Sequence, residues 1–573
     1  VISIAEKRGG YDTPFATGEL FALDARSGSN LYLFGYRGGG GGGTGTHIKR
    51  SLATNASATV LESRADEAGT ILIGISHWNG TAEGGKMELA RLNVKTAMLT
   101  KSGGTLPLRY VDNVLVDADG NLRAVAGAAV TADKSDTSNQ LWWRAGKSGE
   151  WRMLIDEKRD GKLVWPLWRM QQSDAFYVEV AEAGRPNYLA KLDPVSGQLT
   201  PLYQPKTADI GSLLLKADQS GAFAVKSYDG SGRGGYVFLE PNSSEAQTMK
   251  TLAAEFPGEL AAITGFSDDG RFASVMISGD VNPGEYYIFD NEDKKVSAPI
   301  KVRPGINPDS AAVMETLLFK ARDGLEIHAW ITLPNNPAGK MPMVVIPHGG
   351  PYGIVDRWRF DNEAQLFASR GYAVLQVNFR GSGGYGQDFI DAGLHEWGGK
   401  MISDVTDGVN AALAKFPLDA NRICIYGGSY GAYAAMMGAA SDPGLYACAV
   451  GFSGVYDLNI MRKGSDIDDS SYGRAYLAEV LKDDQQWLQA NSATTQASRI
   501  KAKVLLIHGG KDERTPSAHA EAMRRALTAA GNPPQWLYKP MEGHGFFDPD
   551  NNLEAYTKIL EFLDANIGVQ SPR

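Results

Sequence analysis

The sequence predicts an N-terminal β-propeller followed by a C-terminal α/β domain built on a doubly wound, mostly parallel sheet. Three observations carry this expectation. Over roughly the first 300 residues, short apolar strands alternate with polar turns at a period near 50. A Pro- and Gly-containing linker at 302–308 then ends that pattern. Beyond it, short all-apolar runs alternate with Ala/Leu-rich stretches. A chain of 573 residues has room for two large domains.

The repeating unit is an apolar strand, a polar turn and a second strand. It recurs at 20–24, 89–93, 141–144, 188–193, 236–239 and 286–290. With Asp24, Asn93, Ala145, Asp193, Glu240 and Asp290 as markers, the steps are 69, 52, 48, 47 and 50 residues. That period, with about four strands per unit, suits propeller blades. Six units are visible, and an irregular pair of β-sandwiches is the alternative. The long first step holds six consecutive glycines at 38–43. They read as a flexible surface loop; no Lys-Ser/Thr follows to make a phosphate loop.

In the second half, strands are expected at 343–347, 373–377, 423–426, 447–452 and 504–508. Helices are expected at 360–369, 403–414, 430–440, 517–530 and 552–566. All-apolar strands between helices imply a buried parallel sheet with helices on both faces. The predicted domains are 1–305 and 306–573.

Composition narrows the function classes. The 57 Lys and Arg against 66 Asp and Glu give a net charge of −9, without the basic footprint of a nucleic-acid binder. No run of roughly 18 apolar residues predicts membrane insertion. Only two cysteines occur, Cys424 and Cys448, which is too few for a disulfide scaffold or a cysteine-built zinc site. Both sit in apolar runs and are expected as buried core thiols, with a bridge between neighbouring strands as the alternative. Val1 is not a Met, and no charged-then-apolar leader follows it. This leans the expectation towards a processed periplasmic protein, with the cytoplasm as the alternative.

The chemistry centres on Gly427-Gly428-Ser429-Tyr430-Gly431, a G-x-S-x-G between an expected strand and an expected helix. A nucleophile there sits on a sharp turn, where flanking glycines let neighbouring chains approach. The helix N-terminus turns free N–H groups towards developing negative charge. This elbow points to an α/β-hydrolase with Ser429 as nucleophile. A serine needs a base, and the base an orienting acid, in the chain order Ser, acid, His. Of His508, His519 and His544, only His544 lies in a glycine-flanked loop after the last expected strand. Asp512 lies on the loop after the preceding strand and is the expected acid, with Glu513 its nearest rival. The expected oxyanion donors are the backbone N–H of Tyr430 and that of Gly350, with Gly349 less favoured. His348, before them, is expected to support the loop. No metal or organic cofactor is required.

Ser429, Asp512 and His544, with His348-Gly349-Gly350-Pro351 and the stretch 378–386, resemble the prolyl oligopeptidase family of serine peptidases. The resemblance is strong over roughly 310–570 and only architectural before that. It implies a propeller that admits short or unstructured peptides. The stretch 512–516 is similar to the acylaminoacyl-peptidase branch, which implies that Arg514 contacts substrate carbonyls and that Tyr352 and Val455 line the specificity pocket. Dipeptidyl peptidases of the family hold a free amine with paired glutamates. No Glu-Glu occurs here, which leaves separated carboxylates such as Glu182 or Glu285. The expected partners are short peptides, acting as acylaminoacyl-, dipeptidyl- or oligopeptide substrates. A small-molecule esterase or amidase and an isopeptidase for a specialised peptide are the alternatives. A homo-oligomer stays open.

Overall fold

The computed structural model describes residues 1–6, 15–36, 55–62, 69–78, 87–117, 119–130, 137–146, 149–170, 173–267, 269–335, 337 and 339–568. The glycine run 38–43 and the expected loop there lie outside them. Six antiparallel sheets follow one another through the first 301 residues and form the blades of a six-bladed propeller. They span 2–34, 56–105, 110–156, 162–203, 213–238 and 260–301. Successive strands pair with their chain neighbours, as in Leu122–Val130 against Thr137–Trp143. Apolar residues on facing sheets close the space between blades: Leu20, Leu33 and Phe34 meet Ala56, Ile71 and Ile73. Helices Glu157–Asp160 and Ser244–Glu255 interrupt the strands; the Ser243 hydroxyl caps the longer one by accepting from Ala246 N, and its Met249 and Leu252 are buried. By internal contacts the chain divides into two compact units. One comprises 1–180, 190–200 and 466–476; the other comprises 181–189, 201–465 and 477–573.

The second unit contains an eight-stranded sheet: β1 (Val313–Lys320), β2 (Glu326–Leu333), β3 (Met341–Val345), β4 (Ala373–Asn378), β5 (Leu418–Gly428), β6 (Cys448–Phe452), β7 (Lys503–Gly509) and β8 (Gln535–Lys539). The spatial order is β1-β2-β4-β3-β5-β6-β7-β8. Strands β3 to β8 run parallel to one another, β2 pairs antiparallel with β4, and β1 pairs antiparallel with β2 at the edge. Helices α1 (Asn362–Ala368), α2 (Lys400–Lys415), α3 (Tyr430–Ser441), α4 (Ala518–Ala529) and α5 (Pro549–Ile567) flank it.

The faces follow from the strand period of two. Phe367 of α1 and Ile559, Phe562 and Leu563 of α5 share a core with Val344, Val374, Tyr426 and Val450. Residues of the opposite parity, such as Val377 and Ile425, meet Gly408 of α2 and Gly438 of α3. Helix α3 is buried along almost its whole length, and its Ala and Gly residues let it lie close to the sheet. Among the described residues, no helix is long and apolar enough to cross a membrane.

The cysteine expectation needs correction. Both residues are fully buried, as expected, but they form a disulfide rather than two thiols. Cys424 and Cys448 are register partners on β5 and β6, with Cα atoms 4.6 Å apart, so their side chains leave the sheet on one face and meet.

Candidate active site

Ser429 occupies the turn between β5 and α3. Its backbone lies in the left-handed region, at φ 57 and ψ −121, an uncommon place for a residue with a side chain. Its N–H donates to Phe452 O of β6 at 2.9 Å, which pins the turn to the neighbouring strand. The flanking glycines are required sterically. A Cβ on Gly427 would lie 2.4 Å from the Gly431 carbonyl, and one on Gly431 would lie 2.2 Å from Pro347 O. Gly431→Val is therefore expected to collapse activity and lower the melting temperature together. Thermal melting beside turnover checks this. A folded, fully active variant would show the turn to be looser than drawn.

Asp512 and His544 are brought into direct contact. The Nδ1–H of His544 donates to Asp512 Oδ2 at 2.9 Å, with Oδ1 at 3.1 Å. Asp512 is buried on the loop after β7, whereas His544 projects from the loop after β8 and keeps about a third of its side chain exposed. Burial alone would push the Asp512 carboxyl up. The His544 hydrogen bond and charge and the Thr515 N–H more than offset this and hold it below the usual aspartate value. The histidine loop is fastened where it leaves β8. Lys511 N donates to Glu542 O at 2.8 Å, and the buried Glu542 carboxylate accepts from Phe547 N, Asp548 N and Asn551 Nδ2 at 2.9–3.0 Å.

The glycine loop after β3 stands against the elbow. A Cβ on Gly349 would sit 3.5 Å from Ser429 Cβ, and Gly350 has φ 113, a backbone that favours glycine. Tyr430 opens α3, and its N–H is one of the first-turn donors without an intrahelical acceptor. Its buried phenol lies 3.3 Å from Trp397 O. His348 supports the loop. Its Nδ1 lies 2.8 Å from Gly349 O and its Nε2 lies 2.8 Å from Ser382 Oγ, whose hydroxyl donates to Phe379 O at 2.6 Å, and its ring stacks on Phe379. Burial pushes it down to about 4, so it is neutral at physiological pH.

The remaining candidates are placed as follows. The Tyr352 hydroxyl donates to Gly393 O at 2.8 Å. Val455 is buried, and Arg514 is exposed on the turn after Asp512. Glu513 is exposed, and His519 is buried with its Nδ1 accepting from Tyr456 N and Asp457 N. Glu182 pairs with Arg185, and Glu285 lies 3.7 Å from Lys301 and accepts from Tyr287 OH. Glu542 was not singled out by sequence; Thr515 was read only within the stretch 512–516, and His508 only as a base that was set aside. Their contacts with Asp512 and the histidine loop mark them as supports.

The fold is a propeller followed in the chain by an α/β-hydrolase sheet that carries a serine elbow and an Asp–His pair. Residues 358–570 match the family model described as the prolyl oligopeptidase family. The chain is 30% identical over 441 residues to dipeptidyl aminopeptidase BIII of Pseudoxanthomonas mexicana, covering 74% of this chain and 63% of that protein. It is 29% identical to the acylamino-acid-releasing enzyme of Rattus norvegicus, covering 43% and 34%. The chain thus spans less than two thirds of the curated relatives it matches. Its fold is similar to that of a puromycin-hydrolysing peptidase of Mycobacterium tuberculosis, with TM-score 0.73, 18% identity and coverage of 100% and 87%.

Proposed function

We propose that this chain is a serine peptidase that hydrolyses peptide bonds of short peptides, in the manner of dipeptidyl and acylaminoacyl peptidases. The observation that carries it is the Asp512–His544 hydrogen bond, in the same sheet domain as a serine held on a glycine-flanked elbow. On this reading His544 takes the Ser429 proton as Ser429 attacks the scissile carbonyl. The Tyr430 and Gly350 N–H groups hold the oxyanion. His544 then protonates the leaving amine, and water reverses the sequence on the acyl-enzyme. Asp512 fixes the histidine tautomer and stabilises its cation. Each step uses only groups of this chain. The propeller, within 1–305, filters substrates by size, and 306–573 performs the chemistry.

A panel tests this: acetyl-aminoacyl, free dipeptidyl and internally blocked peptide p-nitroanilides, with p-nitrophenyl acetate. Turnover of a peptide class that disappears in Ser429→Ala is expected. Ester turnover without any peptide turnover would overturn the peptidase assignment in favour of an esterase. Arg514, placed beside the acid and exposed, is proposed to bind substrate carbonyls, with Tyr352 and Val455 lining the specificity pocket. Arg514→Ala is expected to raise KM about tenfold, as for a lost hydrogen bond from a charged donor, with a smaller change in kcat. An unchanged KM across the panel would remove Arg514 from substrate binding.

A further inference from the structure

We propose that the Thr515 hydroxyl is a positioning group for the acid of the catalytic triad. This rests on the triad described above.

Thr515 is fully buried, three residues after Asp512. Its N–H donates to Asp512 Oδ1 at 2.8 Å, and its Oγ1 lies 2.8 Å from Asp512 Oδ2. The same Oγ1 lies 2.9 Å from Ser453 O and 3.3 Å from His544 Nδ1. A hydroxyl has one proton, so the two oxygen acceptors compete for it, and a charged carboxylate outbids a neutral carbonyl. His544 Nδ1 carries its own proton towards Asp512 and does not compete. Residue 515 therefore clamps both carboxylate oxygens while His544 uses the remaining directions. Ser453 is held in turn: its N–H donates to Ile507 O at 2.9 Å, and its backbone sits at φ 48, a sparsely populated conformation that the surroundings must maintain. A third contact steadies the turn from below, where the Nε2–H of His508 donates to Thr515 O at 2.8 Å and lies 3.7 Å from Asp512 Oδ2.

The titratable groups around this cluster are His508 from β7, His519 and Glu521 from α4, Asp457 from the loop after β6, His544, and Lys511, Glu513 and Arg514 on the turn itself. Burial pushes His508 down, with the Asp512 charge opposing it, and pushes His519 down to about 4. Two neutral donors on Thr515 face the carboxylate beside His544. A carboxylate with one donor fewer is more basic and attracts a protonated imidazole more strongly.

The test compares Thr515→Val, which keeps the shape and removes the hydroxyl, with Thr515→Ser, which restores it. Thermal melting and Ser429→Ala accompany both. For Thr515→Val, kcat is expected to fall about ten- to hundredfold with KM little changed, the effect of a hydrogen bond to a charged group. The ascending limb of its kcat/KM–pH profile is expected to move to higher pH. Thr515→Ser is expected to stay within about threefold of wild type and to keep its profile. If Thr515→Val fails to fold, Thr515→Cys, a weaker donor of similar size, is expected to lie between wild type and the loss stated for valine. A folded Val or Cys variant with wild-type kcat and profile would overturn the proposal. So would a Ser variant as impaired as Val. Activity that survives Ser429→Ala would instead overturn the triad, which keeps the two failures distinct.

Discussion

Ser429→Ala is expected to lower kcat for any peptide substrate by about 10⁴-fold or more while the chain stays folded. The size follows from the role. On the proposed mechanism Ser429 supplies the oxygen of the acyl-enzyme, and the residual rate would come only from oxyanion donors and substrate positioning. Stability should hold or rise, because alanine at a left-handed φ of 57 is no more strained than serine, and the Ser429 N–H bond to Phe452 O is backbone. Turnover of the best anilide, with melting as control, reads this out. A loss below about tenfold would remove the serine from the chemistry.

Asp512→Asn is expected to cost about 10⁴-fold in kcat with KM nearly preserved. The exchange keeps volume and burial but replaces one carboxylate oxygen by an amide nitrogen. That nitrogen can no longer accept from His544 Nδ1, so the ring is driven to the tautomer whose Nε2 carries the proton, and it ceases to be a base for Ser429. The second loss is electrostatic, since the cation formed during attack has no counter-charge at 2.9 Å. Thr515 N and Oγ1 each face Asp512 at 2.8 Å, so Asn must also leave a buried donor poorly matched. Thermal melting is therefore expected to fall modestly beside the large kinetic loss. A variant within tenfold of wild type would show that the pair is structural.

The elbow was legible because its sequence has few other uses: steric contacts at 2.2–2.4 Å make Gly427 and Gly431 irreplaceable, and α3 begins immediately after Ser429. The parallel strands were legible because both of their faces are buried, which leaves unbroken apolar runs. The antiparallel β1–β2 edge was not, because its half-exposed strands read as alternation around the turn Asp323-Gly324, a pattern easily absorbed into the preceding linker. Helix Ser244–Glu255 is short, polar and set between strands, and its one clear signal is the Ser243 cap. The disulfide depended on strand adjacency and register, which residue type alone does not carry: Cys424 and Cys448 meet because β5 and β6 are neighbours and these two positions are partners. The supports of the site, Thr515, Glu542 and His508, were hidden for the same reason. Each acts through a contact that exists only once the loops after β7 and β8 are folded together.

Covalent labelling with a fluorophosphonate, read by intact-mass and peptide mass spectrometry, tests the central claim most directly. One adduct per chain is expected on the peptide containing Ser429, absent in Ser429→Ala and strongly slowed in Asp512→Asn. Labelling at another residue, or equal labelling of Ser429→Ala, would contradict the account.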